Sequence, residues 1–156
     1  MLMKDYFKNN TLTILVFILS IVSIVIIVGI DFFGDKVFIK DSFKKEDLYN
    51  LLTINTIFSG FLYTMLGNLV EFTSREEMRK KDLAGYVDKY YSPVYFGLAY
   101  FILAILIEVC ILFFGVSILL GYLILLQKIL SFFGIIYFVI STIMLRKIIV
   151  QIRTNN

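Results

Sequence analysis

Histidine and tryptophan are absent from this chain of 156 residues, and cysteine and proline occur once each. Without histidine, Ser-His and Cys-His nucleophilic pairs and the common zinc sites cannot be assembled. The lone cysteine, Cys110, excludes an internal disulfide. It stands in an apolar run and reads as a small buried side chain. Glu108 is two residues away from it, on a different helix face, so the pair does not make a thiol and its base. Asp31 and Asp35 have i,i+4 spacing, but Phe32-Phe33-Gly34 between them argues for a turn. No phosphate-cradling glycine motif occurs, and no set of catalytic roles can be filled. The chain does not read as an enzyme, and it implies no cofactor and no metal. Its net charge of +3 is ordinary for a membrane protein and gives no ground for nucleic-acid binding.

Hydrophobic residues make up 60% of the chain and its mean hydropathy is +0.89, which places it with polytopic membrane proteins. Charged residues gather between long apolar runs, as expected when runs are spans and clusters are loops. The expected fold is all-α: four transmembrane helices near 11–30, 50–71, 94–119 and 123–145, with no separate soluble domain. The first run is rich in β-branched residues, yet in lipid an unbroken run of this length must be helical, because its backbone has to satisfy itself. It is longer than a signal-peptide core and has no small-x-small cleavage site. A charged segment, about 72–92, is expected to continue the second helix into the cytoplasm to about Asp82, with Glu76 and Glu77 set against Lys80 and Lys81 at i,i+4. Ser92 and Pro93 read as the cap and first residue of the third helix. Gly121 and Tyr122 mark the expected turn between spans three and four.

Loop charges set the orientation. With both termini cytoplasmic, Lys4, Lys8, Arg75, Arg79, Lys80, Lys81, Lys89, Arg146, Lys147 and Arg153 lie inside. Lys36, Lys40, Lys44, Lys45 and Lys128 lie outside, a two-to-one bias that follows the positive-inside rule. Lys128 is expected to snorkel at the outer end of span four.

Two features carry the functional expectations. At about 100° per residue, Asn50, Thr53, Thr56, Gly60, Thr64, Gly67, Asn68 and Glu71 fall on one side of span two. Ile57 interrupts that side, and Asn55 and Ser59 lie off it. Lipid cannot satisfy such a face, so it must meet another helix, a second copy, or water; the stripe is therefore pore lining or helix packing. The second feature is Glu108, near the middle of span three. No Lys or Arg is expected at its depth, so it is either protonated and hydrogen-bonded or in contact with water. Counting from the span ends places Ser20, Ser23, Ser59, Gly60, Tyr63 and Tyr137 level with it. Gly97, Ala104 and Gly115 share its face and favour close helix contact. Arg75, Arg79, Lys80 and Lys81 are candidates for contact with lipid head groups or a cytoplasmic partner.

The size, the missing soluble domain, and the span N-T-I-F-S-G-F-L-Y-T-M-L-G from Asn55 to Gly67 followed by a charged inner helix resemble the small four-span membrane effectors of bacterial anti-phage defence systems. That resemblance implies an oligomer in the bacterial inner membrane that opens a path for inorganic ions and depolarises the cell under the control of a regulatory signal or partner. Small bacteriocin immunity proteins share the four-span basic layout and imply instead a non-enzymatic scaffold that binds a partner through residues 73–92. Small multidrug transporters carry their membrane glutamate in the first span, whereas Glu108 is in the third, which argues against that family.

Overall fold

The computed structural model describes residues 7, 9–34, 45–74, 87–114 and 120–154. These contain four long helices: α1 (Thr11–Phe33), α2 (Lys45–Thr73), α3 (Asp88–Phe114) and α4 (Leu120–Thr154). Segments of three of them are long and apolar enough to cross a membrane: Thr11–Ile30 in α1, Asp88–Phe114 in α3 and Gly121–Val150 in α4. The 29 residues of α2 extend about 43 Å, more than a hydrocarbon core requires. Its polar stripe keeps it out of that group of three.

The antiparallel pair α3–α4 makes the most extensive contact and forms the centre of the bundle. Both α1 and α2 lean on this pair, and neither makes substantial contact with the other. In α4, 44% of the membrane-length window is buried, against 17% in α1, so α1 is peripheral. Most of α1's surface is accordingly apolar and outward, with Leu15, Ile18, Leu19, Val25 and Ile26 among its exposed side chains.

Two glycines let the central pair close up. A Cβ on Gly134 would stand 2.9 Å from the Phe101 ring, and one on Gly97 would stand 2.7 Å from Leu62 Cδ1 and 3.1 Å from Tyr137 Cβ. A larger residue at Gly134 would have to displace the buried Phe101 ring, and one at Gly97 would have to turn the Leu62 side chain aside and push Tyr137 back by a few tenths of an ångström. Phe101 is fully buried and stacks on Phe58 at 5.8 Å, while Phe96 stacks on Tyr137 at 5.7 Å. These contacts fill the interior with rings, and dispersion between closely packed atoms holds it together.

Four expectations need correction. Gly121 and Tyr122 are not a turn; they lie inside α4, because α3 ends at Phe114 and α4 starts at Leu120. Pro93 is not the first helical residue, since α3 begins five residues earlier at Asp88. Proline is tolerated so near the helix start because the only bond it forfeits is the one its N–H would give to the Lys89 carbonyl. Residues 88–92 thus belong to α3 and not to a separate extension. Cys110 is exposed on the outer surface of α3, where a thiol meets lipid as easily as a methyl group would. The charged segment with Arg75, Arg79, Lys80 and Lys81, and also Gly115, lie outside the described residues.

Candidate functional site

Helix α2 has two polar systems, on opposite faces. Asn50, Thr53, Thr56, Gly60, Thr64, Gly67, Asn68 and Glu71 are all exposed on the face turned away from α3 and α4. Nothing comes within 4 Å of where a Cβ would stand on Gly60 or Gly67, so both positions face open space. The hydroxyls of this face bond locally. Thr53 donates to the Tyr49 carbonyl at 2.8 Å, Thr56 to Leu52 at 2.8 Å and Thr64 to Gly60 at 3.0 Å. Their donor demand is met within the helix, as is usual for threonine in an apolar setting. Ser59, half-buried beside the stripe, donates likewise to the Thr56 carbonyl at 2.9 Å. Ile57 interrupts the stripe and is 51% exposed.

The inward face of α2 carries Leu48, Leu62, Leu69 and two polar residues, Asn55 and, at the helix end, Thr73, all buried; Thr73 bonds to the Tyr91 hydroxyl of α3 at 2.6 Å. Asn55 Nδ2 donates to Glu108 Oε1 at 2.9 Å, and Gln127 Nε2 donates to the same oxygen. Asn55, Glu108 and Gln127 are each 0% exposed, so one cluster ties α2, α3 and α4 together in the dry interior. Three of its oxygens, Glu108 Oε2, Asn55 Oδ1 and Gln127 Oε1, have no hydrogen-bond partner among the described residues. The cluster is therefore short of hydrogens and rich in acceptors. A proton on Oε2 would neutralise the carboxylate and supply a donor for one amide oxygen. Among the described residues no cation contacts Glu108; Lys128, one residue past Gln127, is exposed.

A second polar level lies about two turns, or roughly 12 Å, away. There Ser20 of α1 bonds to Tyr100 of α3, and Tyr137 of α4 donates to the Thr13 carbonyl at 2.9 Å. Ser20 and Tyr137 are thus not level with Glu108, as counting from the ends of the apolar runs implied. The partner of Glu108 on α2 is Asn55, so Ser59, Gly60 and Tyr63 also stand further along. Such counts fail because α3 extends beyond its apolar stretch to Asp88, and because the α3–α4 hairpin is centred between Phe114 and Leu120, not on Gly121. Glu108 lies six residues from the end of α3, in its last third. Its predicted companions Gly97 and Ala104 do share its buried face.

Sequence reasoning set Asn55 aside as lying off the stripe and passed over Gln127. A signal for Gln127 existed: in an antiparallel hairpin centred near residue 117, position 108 faces position 127. The same register brings Phe101 against Gly134 and Gly97 against Tyr137.

The geometry defines a class: an all-α bundle with three membrane-length helices, an acid–amide cluster inside and a polar stripe outside. No protein family, curated protein or solved structure matches the chain.

Proposed function

We propose that α2 is the fourth span of a multi-pass protein of the bacterial inner membrane, and that copies associate through its polar stripe to form or gate an ion-conducting path. One observation carries this reading: all eight stripe residues, from Asn50 to Glu71, lie on the outer surface of the bundle. The amides of Asn50 and Asn68 and the carboxylate of Glu71 cannot be left facing hydrocarbon. A second copy, or water enclosed by several copies, meets that need. The interior of one copy does not offer a path, because Glu108 and its amide partners have no exposed surface and Leu62, Phe101 and Tyr137, each 0% exposed, fill the bundle further along.

In the bacterial cell such an assembly would depolarise the membrane, as the resemblance to anti-phage effectors implies. Inorganic ions are the permeant species, and a cytoplasmic partner at Arg75, Arg79, Lys80 and Lys81 is the natural regulator. A second reading has its own support. The self-satisfied threonines and the open space at Gly60 and Gly67 also suit a tightly packed, non-conducting scaffold, as in an immunity protein.

Purified protein in a planar bilayer separates the two readings. The pore reading expects ion conductance, blocked by Gly60→Trp or Thr64→Trp without loss of the oligomer. Symmetric particles that never conduct would reject the pore and leave the scaffold.

A further inference from the structure

A different surface carries an independent inference. Where α3 begins, its first turn meets the flank of α4 across an open groove of about 580 Å³. Lys89, Arg146 and Lys147 line it, and among the described residues no acidic one does. Asp88, in the first turn of α3, stays out of the lining. Lys89 Nζ rests over the Tyr90 ring, 4.9 Å from its centroid, which holds the ammonium at the groove edge. The rest of the lining is aliphatic: Ile143 and Val150, each 52% exposed, and Met144. On α4, Ile143 and Lys147 are one turn apart, as are Arg146 and Val150, so charge and hydrocarbon alternate along one strip.

The depth of this groove matters as much as its charge. Arg146 and Lys147 fall in the last turn and a half of the membrane-length segment Gly121–Val150. In a bilayer that level holds phosphates, with acyl chains beginning one turn deeper, beside Ile143. A soluble anion would use the cations and leave the aliphatic lining idle. An acidic peptide would have to reach below the head groups. Only an amphiphile with an anionic head uses both parts of the groove.

The structure assigns this groove, we propose, to the head group and upper acyl chain of an anionic phospholipid. The phosphate sits among Lys89, Arg146 and Lys147, and the chain lies along Ile143 and Met144. The assignment needs the bundle to be in a membrane and does not depend on whether α2 encloses an ion path.

The full-length protein, purified in neutral detergent, is titrated with short-chain phosphatidylglycerol while its thermal unfolding is followed. Phosphatidylcholine of the same chain length and inorganic phosphate are titrated in parallel. Phosphatidylglycerol should raise the unfolding temperature saturably, and the other two should not. In K89Q/R146Q/K147Q the affinity should fall about a hundredfold, since each interfacial cation contributes roughly fivefold. If that variant does not fold, R146Q and K147Q are read singly, each with a loss of about fivefold. K128Q, at the opposite end of α4, should keep the wild-type response. An equal response to phosphatidylcholine or to inorganic phosphate overturns the assignment, as does an unchanged affinity in the glutamine variants. Displacement of phosphatidylglycerol by a polyglutamate peptide would transfer the groove to a protein partner and equally overturn it.

Discussion

Glu108 is the residue on which the interior turns. An ionised carboxylate with no exposed surface would need a cation, and among the described residues none touches it. A protonated one completes the cluster, with Oε1 accepting from both amides and Oε2–H donating to one of the two open amide oxygens. Glu108→Gln carries two N–H groups where Oε2 stood, so it can fill both. It should therefore leave stability and assembly within about 1 kcal/mol of wild type. Glu108→Ala strands Asn55 and Gln127 and should cost roughly 1–3 kcal/mol. Unfolding in mixed micelles measures both. The infrared carbonyl band of a protonated acid, present in wild type and missing from Glu108→Gln, checks the protonation directly. Assembled Glu108→Gln with changed conductance or ion preference would instead place the ionised carboxylate in the ion path.

At the scale of the element, α2 is a helix with a divided surface. Its inward face holds leucines and Asn55 against α3 and α4, and its outward face holds the stripe. If copies meet through that stripe, cysteines placed at Gly60 or Thr64 in a Cys110→Ser background should cross-link between copies in native membranes. A cysteine at Leu62, buried against Gly97 of its own chain, should not. Helix α1 offers a rival interface, because its outward face is also large, though wholly apolar. Cross-links formed at Leu15 and absent at Gly60 and Thr64 would move the contact to α1 and remove the stripe from assembly.

For the whole molecule the open quantity is orientation. The proposed orientation, drawn from the charge bias, would put both termini, the start of α3 and the end of α4 in the cytoplasm, and with them the basic groove of Lys89, Arg146 and Lys147. In the Cys110→Ser background, a cysteine at Lys44 should react with an impermeant thiol reagent from outside the cell. One at Lys81 should react only after the membrane is opened. The opposite pattern would invert the protein and put the groove against the outer leaflet. Labelling of both sites from one side would mean that α2 does not cross, leaving a three-span chain.

The sequence by itself determined the helical class, because apolar runs of this length have no other way to satisfy their backbone in lipid. It also determined the two-faced character of α2, since 100° per residue sorts side chains without reference to any neighbour. The absence of histidine and the single cysteine removed whole classes of chemistry. The tertiary structure alone decided which polar groups meet. Where a helix begins depends on capping and packing as well as hydropathy, as Asp88 and the buried Pro93 show. An error of four residues in a hairpin centre shifts the facing position by eight residues, about 12 Å along the axis. That is enough to replace Asn55 and Gln127 with Ser20 and Tyr137 as the supposed partners of Glu108. Face assignment needs only local periodicity, whereas partner assignment needs the register between helices, which close contacts such as Gly134 on Phe101 and Gly97 on Leu62 impose.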